Sequence, residues 1–143
     1  MFASLSRPDI AVTVGVAGAI ALVLLARSLA RPRELLVYGV GLGITAVLYV
    51  VLGLQRGAPA RYLGLEVVGA VLFGSAAVLG TGRWPALLAI GWTTHVAWDL
   101  FLHPANAPAY APVWYPWFCV GFDLFVGGYI AGLITERRGQ PAR

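Results

Sequence analysis

The chain alternates long apolar runs with short polar or charged breaks. Five runs are long enough to cross a bilayer, at roughly 20 residues each. They cover about 10–29, 35–54, 62–80, 84–103 and 112–134. The pattern predicts an all-α integral membrane bundle of five transmembrane helices forming a single domain over 1–143. Ser6 and Asp9 read as a capping box before the first run. Pro85 suits the first turn of the fourth. The first run is as long as a full span, so it reads as a retained helix and not a signal peptide. Two GxxxG patterns, Gly39 to Gly43 and Gly128 to Gly132, suggest close helix contacts. The segment from Pro104 to Ala111 is the longest break. It leads into Trp114-Tyr115-Pro116-Trp117, which with Tyr62 and Trp84 reads as an interfacial aromatic belt.

Composition agrees with a membrane setting. Charged residues make up 11% of the chain, below the roughly 25% of soluble domains. There is no lysine, and the net charge of +4 rests on arginines between the apolar runs. That placement points to membrane topology and membrane lipid, with no nucleic-acid partner. With five crossings, one side holds Arg7, Arg56 and Arg61. The other holds Arg27, Arg31, Arg33, Arg83, Arg137, Arg138 and Arg143. The richer side is expected to be cytoplasmic, so the N-terminus is outside and the C-terminus inside the cell. The single cysteine, Cys119, excludes an internal disulfide and a cysteine-rich zinc site.

The fourth run carries the chemistry. His95, Asp99 and His103 follow at four-residue steps, so they drift only about 40° per step around a helix and share one face. Glu66 in the third run and Asp123 in the fifth join them. With about 1.5 Å of rise per residue, all five fall in the outer half of the membrane or near its midplane, and nothing comparable is expected in the inner half. Ionisable groups inside a membrane are costly and mark function. Three carboxylates without an intramembrane arginine or lysine need protons, a metal or histidine as partners. The candidate catalytic residues are Asp99, Asp123, Glu66 and His95. Trp92, Trp98 and Cys119 are candidates for lining a substrate pocket, and for the two tryptophans core packing is an equal alternative. His95, Asp99, Asp123 and His103 are candidate metal ligands. Imidazole with carboxylate suits zinc or iron, although His95 and His103 are about 12 Å apart on a straight helix. Without metal, the carboxylates can divide into an acid and a base.

Two other roles compete at single positions. An isolated intramembrane histidine or aspartate commonly serves as a hydrogen bond between helices, and Cys119 also reads as a small buried hydrophobe.

The pattern Gly91-Trp92-x-x-His95-x-x-Trp98-Asp99-x-x-x-His103, followed by Cys119-x-x-x-Asp123, resembles a family of small bacterial multi-spanning membrane proteins of uncharacterised function. The likeness runs from about Glu66 to Asp123. Leu102 and Phe122 stand where that family tends to carry a further histidine and cysteine. The resemblance implies the fold class and brings no activity.

The residues themselves lead to the expectation of an enzyme of hydrolase, isomerase or cyclase type acting on a lipid-soluble small molecule. A proton- or metal-translocating carrier subunit and an accessory membrane subunit are the rival readings. A carrier of five spans would be expected to form a homo-oligomer.

Overall fold

The computed structural model describes residues 7–103 and 110–138. It is all-α, with 87% of the described residues helical and no strands among them. Five helices follow in order: α1 Pro8–Arg27, α2 Arg31–Arg56, α3 Ala60–Gly82, α4 Ala86–Leu102 and α5 Tyr115–Arg138. All but α4 are long and apolar enough to cross a membrane; α4 is equally apolar and shorter, with 17 residues. At 1.5 Å per residue α4 is about 25 Å long, near the thickness of a hydrocarbon core.

The ends of the helices follow local chemistry. Pro8 and Pro32 sit in the first turns of α1 and α2, where a missing N–H costs nothing. The N-cap of α1 is Arg7 and makes no side-chain cap. Asp9 pairs instead with the exposed Arg7 guanidinium at 2.8 Å. The other half of the expected capping box, Ser6, lies outside the described residues. α2 ends on Gly57, whose φ of 65° is left-handed, so its N–H can return to the Gly53 carbonyl. The segment 104–109 likewise lies outside the description.

α5 packs between α1 and α4, and α3 packs between α2 and α4. Outward faces carry Val, Leu, Ile and Phe, such as Leu24, Ile44, Val78 and Phe101. That is the opposite of a water-soluble bundle and what lipid contact requires. Arg7, Arg27, Arg33, Arg56, Arg61 and Arg83 are all exposed.

The core runs through α2, α4 and α5. Leu42, Leu88, Trp92, Val126 and Ile130 are fully buried. Trp92 donates its indole N–H to the Tyr38 carbonyl at 3.2 Å and packs in this core.

The glycines that permit close packing are not those the GxxxG patterns single out. Of the four, only Gly39 sits at a contact, against Thr81, Ala77 and Leu88. A Cβ on Gly43, Gly128 or Gly132 would meet nothing within 4 Å. The tightest approach joins α1 and α5, where a Cβ on Gly15 would overlap the Phe118 carbonyl and one on Gly121 the Val12 carbonyl. The reason is rotational: a GxxxG spacing defines a small face but not the neighbour it meets.

Candidate functional site

α4 carries a buried stripe at helical spacing: Leu88, Trp92, His95 and Asp99. Its first half is apolar and its last turns polar. Cys119, Asp123, Val126 and Ile130 form the matching face of α5. Packing the two faces together sets His95 and Asp99 against Asp123, all three with no exposed surface. His95 Nδ1 lies 2.9 Å from Asp123 Oδ2 and 3.3 Å from Asp99 Oδ2. From α2, Tyr49 donates its hydroxyl to Asp99 Oδ1 at 2.6 Å. Three polar atoms of this centre have no hydrogen-bond partner: His95 Nε2, Asp99 Oδ2 and Asp123 Oδ1.

A second centre adjoins it. Glu66 of α3 accepts from the Trp98 indole at 3.1 Å through Oε2 and from the Tyr110 hydroxyl at 2.5 Å through Oε1. His103 Nε2 lies 2.9 Å from the same Oε1 but lacks hydrogen-bond geometry and counts as unpaired. Burial, with the Glu66 carboxylate, pushes the Tyr110 phenol well above its ordinary range, which keeps it a donor. Tyr49 joins the centres, with its hydroxyl on Asp99 and its ring stacked 4.2 Å from the His103 ring.

His95, Asp99 and Asp123 come together in one group, and Glu66 lies beside it, paired with His103. His103 stands apart from the other three candidate metal ligands. In the first group, one ligand atom from each residue lies within 4.8 Å of the others, close enough to share an ion. Trp98 touches Glu66, whereas Trp92 lies in the apolar core, so its expected pocket-lining position is not what the fold gives it. Cys119 is buried at the flank of the site, beside Tyr49 and Tyr115.

Phe73 borders both centres. Its ring meets the His95 ring edge-on at 4.7 Å and the Trp98 ring at 5.7 Å. On their other side, Phe73 and Trp98 back an apolar groove of about 470 Å³ between α3 and α4, which Leu72, Ile90 and Phe101 help to line.

Three partners were not expected: Tyr49, Tyr110 and Tyr115. The signal was present for Tyr49, because a tyrosine well inside an apolar run needs somewhere to put its hydroxyl. The expectation that the inner end holds nothing comparable is corrected by Glu34. It lies in the first turn of α2, is 5% exposed, and accepts from the hydroxyls of Tyr38 at 3.2 Å and Tyr129 at 2.9 Å. Glu34 follows Arg33 and stands one residue before the start expected for the second run, so it fell outside the membrane-embedded groups.

No protein-family model, curated protein or solved structure matches the chain.

Proposed function

We propose that this chain is an integral membrane enzyme of hydrolase, isomerase or cyclase type acting on a lipid-soluble substrate. His95, Asp99, Asp123 and Glu66 carry the chemistry, and His103 assists Glu66. The observation that carries this reading is the set of buried polar atoms on His95, Asp99 and Asp123 that have no hydrogen-bond partner. Side chains kept only to join helices are expected to satisfy one another, since each unpaired buried group costs about 1–3 kcal/mol. A cost concentrated at one end of the bundle is what a reaction site incurs.

Proton transfer suits this donor set. Imidazole and carboxylate groups can exchange protons with a substrate held within hydrogen-bond reach. The apolar groove behind Phe73 and Trp98 supports a substrate arriving from lipid. In the orientation expected from the arginines, with the N-terminus outside, the site belongs to the outer half of the membrane. The resemblance to small bacterial membrane proteins is compatible with this reading.

The carrier reading fares less well. Glu34 and Tyr49 mark the two polar ends of one face of α2, about 22 Å apart. Leu42 of that face, with Trp92, Val126 and Ile130, is fully buried between them. A proton relay needs a chain of polar groups there, and these are apolar packing residues.

The test is a comparison of membrane lipids from cells making the parent chain, Asp99→Asn or Glu66→Gln at matched levels. A lipid species whose abundance changes with the parent and reverts with both variants supports an enzyme. Identical lipid profiles in all three overturn it.

A further inference from the structure

We infer that His95 Nδ1, Asp99 Oδ2 and Asp123 Oδ2 bind one divalent first-row transition-metal ion. The inference concerns the site of the proposed reaction and rests on that reading only for what the ion would do there. Whether the ion binds is a separate matter, decided by the donor atoms.

Geometry is the first support. Donors about 2.0–2.1 Å from one zinc ion stand roughly 3.3 Å apart at a tetrahedral edge and about 2.9 Å apart at an octahedral one. The two separations at His95 Nδ1 are 3.3 Å to Asp99 and 2.9 Å to Asp123. Each carboxylate oxygen is therefore spaced from the nitrogen as a neighbouring ligand of one ion, and one ligand atom from each of the three residues lies within 4.8 Å of the others.

Unpaired atoms are the second support. Asp99 is held from outside by the Tyr49 hydroxyl on Oδ1. Its Oδ2 is turned to His95 and has no hydrogen-bond partner in a completely buried position. An outer donor that orients a carboxylate and leaves its second oxygen free is the usual support of a metal ligand. When the ion binds, Nδ1 must present its lone pair. Nδ1 then exchanges its hydrogen bond to Asp123 Oδ2 for the ion, and the imidazole proton moves to Nε2, which has no acceptor in the bundle and needs one from outside it.

Charge is the third. As ligands, Asp99 and Asp123 would be ionised and His95 neutral, so the three side chains would bring two negative charges. Every arginine whose side chain is described is exposed. A divalent cation balances the two aspartates, whereas an uncompensated carboxylate in a dry core is expensive. The donor set also selects the ion. Magnesium and calcium ask for six or more oxygens, and copper(I) favours sulfur. One imidazole with two carboxylates suits zinc or ferrous iron and leaves further positions for water or a substrate oxygen.

The test uses the full chain, purified in detergent, stripped with chelator, loaded with zinc and freed of excess. The parent is expected to hold one zinc per chain, and Asp123→Asn and His95→Ala to hold none. Glu34→Gln, at the opposite end of the bundle, should load like the parent. Tyr49→Phe should bind zinc about tenfold more weakly or worse, as losing an outer-shell donor does. Loading with cobalt should give visible ligand-field absorption in the parent that Asp99→Asn lacks. If His95→Ala fails to fold, Asp123→Asn, which keeps size and shape, decides. A parent without stoichiometric zinc and without the cobalt absorption overturns the inference. So does zinc that survives in Asp123→Asn. These readouts are independent of turnover: zinc without any lipid change sinks the enzyme and leaves the metal site, and a lipid change without zinc does the reverse.

Discussion

Tyr49 of α2 donates a 2.6 Å hydrogen bond to Asp99 of α4, fifty residues further along the chain. The bond ties a helix that brings no carboxylate to the site into the position of one that the site depends on. Its tyrosine also stacks on His103, so one residue sets the spacing of both polar centres. Tyr49→Phe keeps the ring and removes the donor. We expect a loss of about 1–3 kcal/mol, the range for leaving a buried acceptor short of a partner. Thermal unfolding in detergent should show a midpoint lower by several degrees. In the Asp99→Asn background the same change should cost less, as a double-mutant cycle would reveal. Equal costs in both backgrounds would mean that the bond gains nothing from the Asp99 charge, since asparagine keeps an acceptor oxygen.

Glu34 offers a contrast. It is buried and doubly hydrogen-bonded, yet it has no unpaired side-chain atom among those identified. Its role is structural. Glu34→Ala should destabilise the bundle by about 1–3 kcal/mol for each tyrosine hydroxyl left without its acceptor. Glu34→Gln should be milder, and neither change should alter the lipid profile that the parent chain produces. A loss of that lipid signature in a well-folded Glu34→Gln would make the inner end part of the reaction.

The α1–α5 contact predicts which glycines matter. Gly15→Ala places a methyl group against the Phe118 carbonyl, and a backbone cannot give way as a flexible side chain does. Overpacking of this kind costs about 1–3 kcal/mol or more. Gly128→Ala, with open space around it, should unfold within about 0.5 kcal/mol of the parent. Thermal midpoints measured side by side separate the two. A Gly128 variant as unstable as the Gly15 variant would place a second chain or another helix against Gly128.

Gly69 tests the second centre. A Cβ there would stand 2.7 Å from the Trp98 ring, so Gly69→Ala must displace the indole. Trp98 would then lose its hydrogen bond to Glu66. The expected outcome is a folded protein with altered tryptophan emission and a lipid signature weakened in parallel with Glu66→Gln. Unchanged emission would show that the indole stays where it is.

The arginines predict an orientation. Seven lie on the side that receives the C-terminus under a five-span topology, and three on the other. Reporters fused after Arg138 are expected to behave as cytoplasmic, and reporters at the N-terminus as external. The reverse result would move the His95 site to the inner half of the membrane.

Some of this protein was legible one residue at a time. A membrane-crossing helix must satisfy its own backbone and fill a fixed thickness, so hydropathy alone located five helices to within a few residues. Helical periodicity is just as local, and it set His95 and Asp99 on one face before any neighbour was known. The convergence of Asp123 and Glu66 followed from depth, because antiparallel spans that share a bilayer share a coordinate along its normal.

Rotation about each helix axis was the part that sequence could not supply. It depends on which faces interlock, and that is a property of pairs. For this reason Gly15 and Gly121, which belong to no GxxxG pattern, make the closest backbone contact, while Gly128 and Gly132 point to open space. The same rotation took Trp92 into the apolar core, gave Asp99 its tyrosine, and sent His103 to Glu66 and not to the His95 group. Tertiary packing also brought in Glu34, which the apolar run left out by one residue and which the hydroxyls of Tyr38 and Tyr129 close over. The one-dimensional pattern determined how deep each polar group sits; only the packed bundle decided which of them touch, because contact needs depth and azimuth together.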